Sequence, residues 1–288
     1  MLELFTDHTY AMTLWGSMAI GITAGCLGSF AYLRRQSLIS DVISHSSLPG
    51  VLGAFLILTM FGISGRSLVA LIIGAVLVGT LAMYLVNLIP RVSLVRLDTA
   101  MAVVLSSFFG LGMLMLQYIS RNPFPDKGGV SDYLFGNASS LTRADVYSCV
   151  IVGALTIGAM VLCFKEFTAH SFDPEFTRVV GLNSRIIDAA LFASITIATV
   201  IGLKAVGLVL MVAFVVSPPA VARQWVTSTA ALVALSGIIG AISAAIGSYL
   251  SIKHGPMPTG PVIVVVLFIF LVASLVLSPR RRHAQAVA

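Results

Sequence analysis

Charged residues are scarce in this chain. They account for 10% of its 288 residues, whereas hydrophobic residues account for 58% and the mean hydropathy is +1.02. A soluble domain carries about 25% charged residues, so the composition argues against a water-soluble protein. No polar stretch reaches the roughly 50 residues of a small soluble domain. The sequence therefore predicts an all-α polytopic membrane protein in which residues 1–288 form a single transmembrane domain.

Several catalytic motifs are also missing. The sequence has no G-x-x-x-x-G-K-[ST] phosphate loop and no H-E-x-x-H zinc motif. It has neither a G-x-S-x-G nucleophile elbow nor a run typical of a selectivity filter. Its cysteines, Cys26, Cys149 and Cys163, lie in apolar stretches without a C-x-x-C pair, so we expect packing residues. The chain is not expected to be an enzyme, and active transport would need an ion gradient or a separate ATPase.

Apolar stretches of helical length recur along the chain and predict eight or nine transmembrane helices. The sixth and seventh are short and are joined by Gly202-Leu203-Lys204, so they form either two spans or one broken helix. The nine stretches are about 10–33, 37–61, 67–89, 99–119, 144–164, 186–201, 205–222, 229–251 and 261–278.

The net charge of +6 reports membrane orientation, because the basic residues stand in short loops between the spans, and it does not indicate a nucleic-acid partner. An outside N-terminus and an inside C-terminus place eleven of the seventeen lysines and arginines on the cytoplasmic side. We therefore expect this orientation. The eleven are Arg34, Arg35, Arg91, Arg96, Lys165, Arg178, Arg185, Arg223, Arg280, Arg281 and Arg282.

The segment 40–50 places a carboxylate and an imidazole inside an apolar stretch. Asp41 and His45 are four residues apart, so a helix brings them to one face. A continuous helix from Arg34 would put His45 roughly 16 Å deeper, near the bilayer midplane, at about 1.5 Å per residue. Ionisable groups at that depth are costly and indicate a functional site.

Three roles remain open for this pair: half of a divalent-metal site, a proton relay, or a structural ion pair. Directly after it, Pro49 and Gly50 predict a break in the helix, because proline lacks the N–H of a helical hydrogen bond. Backbone freed at membrane depth is tolerated only where it faces protein or a wet cavity.

The largest predicted cytoplasmic loop, 165–185, contains a helix signal. Asp173 is a suitable N-cap, Pro174 and Glu175 suit the first turn, and Gly181 is a plausible stop. The loop is either an interfacial connector or a knob that docks into a soluble partner. One face of the short helix is expected to carry Phe176, Val179 and Val180.

A resemblance to a known family begins at 34–50. That run reads RRQSLISDVISHSSLPG and resembles the signature of permease subunits of metal-cation ABC transporters, the manganese, zinc and iron uptake group. The likeness follows nearly the whole chain in order. The family usually has Gly before the Asp and Ala after the His, where this chain has Ser40 and Ser46. Further matching stretches are YLFGN at 133–137, the loop 172–182, the segment from KAVG at 204–207 to SPPAVAR at 217–223, and PTGP at 258–261.

The resemblance implies a multi-helix fold like that of metal-chelate ABC importer permeases, in the inner membrane of a bacterium. It implies that Asp41 and His45 coordinate the transported metal, with no permanently bound cofactor. It implies four kinds of partner: an ATP-binding subunit, a second permease copy or paralogue, an external solute-binding protein and membrane lipid. The ATP-binding subunit would receive a coupling helix at about 173–182, which includes Asp173, Pro174, Glu175 and Gly181.

Two carboxylates and two imidazoles from paired copies would suit manganese, zinc or ferrous iron and would disfavour cuprous copper, which prefers sulfur. Manganese is expected first. Two other functions remain as alternatives: a proton-coupled metal carrier that acts without an ATPase, and a membrane scaffold that transports nothing.

Overall fold

The computed structural model describes residues 8–34, 39–62, 68–124, 143–253 and 259–278. Within these ranges the chain is helical and has no strand, which confirms the all-α prediction. The predicted motifs at 133–137 and at the start of 258–261 lie outside the described residues. The helices are α1 (His8–Leu33), α2 (Ile39–Met60), α3 (Leu68–Val92), α4 (Leu97–Arg121), α5 (Arg143–Leu162), α6 (Phe164–Phe172), α7 (Pro174–Val179), α8 (Ser184–Val206), α9 (Leu208–Ala222), α10 (Thr229–Lys253) and α11 (Thr259–Leu277).

The predicted number of spans is slightly too high. Among the described residues, six helices (α1, α2, α3, α4, α10 and α11) are long and apolar enough to cross a membrane. The pair α5 and α6 makes a seventh if the two are one span, although they are bent by 67° at their junction. The predicted sixth and seventh spans correspond to shorter apolar segments, Ile186–Gly202 and Met211–Ala222.

The break between α8 and α9 lies at Gly207 and not at the predicted Gly202-Leu203-Lys204. Gly207 has a φ of 83° and a ψ of 166°, a conformation that only glycine adopts readily. Gly202 is instead a packing residue inside α8, because a Cβ atom there would collide with the sulfur of Met211 in α9. The sequence alone does not distinguish the two glycines, whereas the structure shows that Gly207 ends the helix and Gly202 allows close packing.

Helix α1 packs against α5, α8, α9 and α10, and a row of glycines brings it close to α9 and α10. A Cβ atom on Gly21 would lie 2.5 Å from the carbonyl oxygen of Gly240 in α10, and one on Gly25 would lie 2.5 Å from that of Ser236. Small residues of this kind let helix backbones approach closely inside a membrane. These close contacts place α1 at the centre of the bundle, with the other helices packed around it.

Helix α2 packs against α3 and α4, and it runs without interruption through Pro49 and Gly50. The predicted helix break at these two residues is therefore wrong. Gly50 is needed for a close contact, because a Cβ atom there would collide with the backbone carbonyl of Gly74 in α3. Pro49 is accommodated within the helix, where it cannot donate a hydrogen bond to the carbonyl of His45.

The short helix α7 forms as its sequence predicts. Asp173 accepts hydrogen bonds through Oδ1 from the backbone N–H groups of Glu175 (3.0 Å) and Phe176 (2.9 Å), and Pro174 occupies the first turn. At the other end Gly181 has a φ of 86°, which favours glycine, and the N–H of Leu182 donates to the carbonyl of Thr177. These contacts fix both ends of a helix too short to be stable alone.

Candidate functional site

Asp41 and His45 lie side by side in the first two turns of α2. The carboxylate Oδ1 of Asp41 is 3.2 Å from Nε2 of His45, and their side chains are 32% and 20% exposed. The helix begins at Ile39, so His45 lies about 9 Å from its start, since each residue adds about 1.5 Å. The estimate of roughly 16 Å assumed a continuous helix from Arg34, which lies instead in the turn after α1.

The two atoms are spaced so that one cation can bind both. Ligand atoms about 2.1 Å from a single ion, at angles of about 90–109°, are about 3.0–3.4 Å apart. The observed separation of 3.2 Å between Oδ1 and Nε2 falls in that range. The pair could therefore bind one cation with little movement of either side chain.

An aromatic ring packs against His45, and several buried polar atoms near it in sequence have no hydrogen-bond partner among the described residues. Its ring meets the ring of Phe109 in α4 edge to face, with centroids 4.8 Å apart. Its Nδ1 is buried and has no hydrogen-bond partner among the described residues. Ser40, Ser44 and Ser46 are fully buried close by in sequence, and their Oγ atoms likewise have no partner in the described part of the chain.

The pair supplies only part of a coordination shell. In the part of the chain that the structure describes, no group of three or more His, Cys, Asp or Glu side chains could hold a metal ion. A stable four- or six-coordinate site would need further donors, from water, from main-chain oxygen or from another subunit. A two-ligand arrangement of this kind suits transient binding better than permanent storage.

The second candidate site is the outer face of α7. Phe176, Val179 and Val180 are 56%, 86% and 58% exposed, and Phe172 and Leu182 beside them are also exposed. These large apolar side chains are uncovered in the single chain, and exposed apolar groups that are contiguous in this way indicate a docking surface. The opposite side of α7 is buried through Thr177.

Behind α7 lies a polar network that sequence reasoning missed. His170 of α6 is buried and contacts Thr177 Oγ1 through Nδ1 (3.1 Å) and Asp188 Oδ1 through Nε2 (2.9 Å). The same oxygen of Asp188 accepts a hydrogen bond from Arg34 (2.6 Å). Arg34 and Asp188 are 154 residues apart in the chain, so no local spacing could have revealed the contact.

Comparisons with known proteins point to one family. Residues 7–278 match the ABC 3 transport family. The chain is 37% identical over 282 residues to the manganese transport system membrane protein MntC of Bacillus subtilis, a match that covers 97% of this chain and 64% of that protein. It is 36% identical over 282 residues to the zinc transport system membrane protein TroC of Treponema pallidum, covering 98% and 93%.

One solved structure agrees with this assignment, and a second shares the fold. The chain superposes on a chain of PsaBC from Streptococcus pneumoniae, solved in complex with Fab, with a TM-score of 0.86 and 27% identity over 99% of this chain and 97% of that one. A putative metal-chelate type ABC transporter in an inward-facing conformation gives a TM-score of 0.71 at 16% identity, covering 95% and 87%, which supports the fold alone.

Proposed function

The chain belongs to the ABC 3 transport family, and from that premise we propose that it is the membrane-spanning permease subunit of a divalent-metal importer. The observation that carries this proposal is the Asp41–His45 pair, a carboxylate and an imidazole held 3.2 Å apart in an apolar helix. The metal is the cargo and no cofactor is permanently bound. Manganese is the first candidate, followed by zinc and iron.

The choice of metal follows from ligand chemistry and from the relatives. An oxygen and a nitrogen ligand suit manganese, zinc and ferrous iron, and neither Asp41 nor His45 offers the sulfur that cuprous copper prefers. MntC of Bacillus subtilis is named for manganese, as is ScaB of Streptococcus parasanguinis, at 30% identity over 275 residues. TroC is named for zinc, which keeps zinc as the second candidate.

A second permease, either another copy or a paralogue, would complete the site. Two copies around a two-fold axis present the same surface to each other, so each would contribute one carboxylate and one imidazole. The partial exposure of Asp41 and His45 supports this arrangement, because a pair that served only packing would be covered within one chain. We propose that the ion passes between the two copies.

The ATP-binding subunit is proposed to dock on α7, around Asp173, Pro174, Glu175 and Gly181. The exposed Phe176, Val179 and Val180 would enter a groove on that subunit, which would perform the ATP hydrolysis that this chain has no motif for. An external solute-binding protein would deliver the metal at the opposite face. Membrane lipid would cover the remaining apolar surface.

The proposed orientation in the bacterial inner membrane places α7 in the cytoplasm, with the N-terminus outside and the C-terminus inside. Arg91 and Arg178 line one polar cavity of about 660 Å³ with Asp188, which in turn contacts Arg34. Basic residues from distant parts of the chain are thus gathered at the α7 end of the bundle. That clustering supports a cytoplasmic location for this end, because cytoplasmic loops carry an excess of Lys and Arg.

One observation favours a second function. The carboxylate of Asp41 and the imidazole of His45 lie 3.2 Å apart, and both are groups that can carry a proton, as a proton-coupled carrier requires. Such a carrier would use a pH gradient to drive metal uptake into liposomes that contain this chain alone. The importer proposed above would need the ATPase, the binding protein and ATP.

The deciding experiment is uptake of radioactive manganese into liposomes that contain the chain with or without its ATP-binding subunit. We expect uptake only with both proteins, the binding protein and ATP, and we expect Asp41→Ala and His45→Ala to abolish it. Asp98→Asn, at an exposed carboxylate of α4, is the matched control and should transport normally. Uptake driven by a pH gradient alone would favour the carrier, and full activity of the Asp41→Ala, His45→Ala double variant would refute the site.

A further inference from the structure

We propose that Thr177, His170, Asp188 and Arg34 form a relay that transmits movement of α7 to α8 and to the end of α1. The proposal rests on the function proposed above, in which an ATPase docks on α7. It assigns to His170, Asp188 and Arg34 a positioning role that does not involve contact with the metal. Each link of the relay is a hydrogen bond or ion pair in the structure.

The first link joins α7 to α6. Thr177 is the fully buried residue of α7, on the side opposite to the exposed apolar residues. Its Oγ1 lies 3.1 Å from Nδ1 of His170 and donates to the carbonyl of Pro174 at 2.8 Å. If a bound partner tilts α7, the hydroxyl of Thr177 moves, and the imidazole of His170 that contacts it is displaced.

The second link is the carboxylate of Asp188, in the second turn of α8. A single oxygen, Oδ1, accepts from Nε2 of His170 at 2.9 Å and from Nη2 of Arg34 at 2.6 Å. Two donors that share one acceptor atom cannot move independently, because a shift of either one changes the position of the oxygen that the other requires. Asp188 thus couples α6 to the end of α1.

The third link is the ion pair of Asp188 with Arg34, at the end of α1. The guanidinium also stacks over the ring of Phe192 in α8, 5.2 Å from its centroid, so its position is fixed on two sides. Arg34 directly follows α1, which ends at Leu33. A displacement of Arg34 is therefore applied directly to the end of α1, the helix that packs against α5, α8, α9 and α10.

Burial makes these links stiff enough for such a role. The side chains of His170 and Arg34 are only 3% and 13% exposed, so water competes little for their hydrogen bonds. Charged hydrogen bonds in such surroundings are stronger than in water, and loss of one partner leaves a buried group unpaired. A network that held the helices together without transmitting movement would have the same contacts, so the experiment must separate the two roles.

The test measures ATP molecules hydrolysed per manganese ion imported by the complete reconstituted transporter. This ratio does not depend on how much complex assembles. Thr177→Val removes the hydroxyl and keeps the side-chain shape, and we expect it to raise the ratio about fivefold, the effect of one lost hydrogen bond. Thr177→Ser restores the hydroxyl and should bring the ratio back towards that of the unmodified protein. An unchanged ratio in Thr177→Val would overturn the relay.

A double-variant cycle with Arg34→Gln tests transmission through the middle of the relay. Thr177 and Arg34 have no direct contact in the structure, so their effects on the ratio should be independent unless His170 and Asp188 connect them. We expect Thr177→Val plus Arg34→Gln to be no worse than the more affected single variant. Additive effects on the logarithm of the ratio would refute the relay. ATP-driven uptake by the unmodified complex separately tests the proposed function, so the two failures can be told apart.

Discussion

Arg34 and Asp188 form an ion pair of 2.6 Å between the end of α1 and the second turn of α8. The arginine is largely buried and the aspartate is about one-third exposed, at 13% and 31%. The pair joins α1 to α8 at the end of the bundle where α7 packs. Asp188 also accepts a hydrogen bond from His170 of α6, so the same carboxylate connects three helices. Stability and transmission therefore depend on the same carboxylate.

We predict that Asp188→Ala destabilises the protein. It leaves Arg34 and His170 without their acceptor, at a cost of about 2 kcal/mol after allowance for partial exposure. Asp188→Asn keeps an acceptor oxygen in the same place and should lose less. Thermal unfolding of the purified protein in detergent measures the difference, and equal losses for the two variants would show that the shared acceptor is unimportant for stability.

The metal preference should respond to the type of ligand atom at position 41. We predict that Asp41→His shifts the preference from manganese towards zinc, because nitrogen ligands favour zinc whereas carboxylate oxygen suits manganese. The measurement is the concentration of zinc that halves manganese uptake, compared between the unmodified transporter and the variant. The shift should be a decrease in that concentration. An unchanged value in a variant that still transports would argue that this position does not contact the ion.

The glycine row on α1 gives a prediction about packing. Gly21→Ala places a methyl group 2.5 Å from the carbonyl oxygen of Gly240, so the two backbones must separate, at a cost of about 1–3 kcal/mol. Gly158→Ala in α5 is the matched control, because a Cβ atom there meets nothing within 4 Å. Melting temperatures in detergent should fall for Gly21→Ala and stay level or rise for Gly158→Ala. The reverse order would contradict the packing of α1 against α10.

The exposed face of α7 gives a prediction about assembly. Phe176→Ser removes an apolar side chain that is 56% exposed, so the chain itself should remain as stable as before. Retention of the ATP-binding subunit during purification should decrease several-fold, because large anchors in an interface commonly contribute more than 1 kcal/mol. Leu94→Ser is the control, since Leu94 is an exposed apolar residue near the same end, just after Arg91. Equal retention in both variants would remove α7 from the interface.

Local chemistry explains what the sequence could predict. The Asp173 cap, the Gly181 stop and the meeting of Asp41 with His45 all depend on residues within a few positions of each other. Helical periodicity and composition likewise suffice for the helices themselves. These features were predictable because their geometry is set by a single helix or a single turn.

Glycine and proline were harder to interpret, because the same residue serves opposite purposes. Gly207 ends a helix, whereas Gly202 and Gly50 let two helices touch, and Pro49 lies inside a continuous helix. Whether such a residue breaks a helix or packs it depends on the neighbouring helix, which the local sequence does not contain. The His170–Asp188 contact to Arg34 was missed for the same reason.

The 67° bend after α5 has a mechanical consequence. It lays α6 across the end of the bundle, where Phe164 and Phe167 meet Phe30 of α1 edge to face, at 5.9 and 5.7 Å between centroids. A displacement of α7 on partner binding would therefore be transmitted through α6 to two helices. It would reach α1 through the aromatic rings and α8 through the contact of His170 with Asp188.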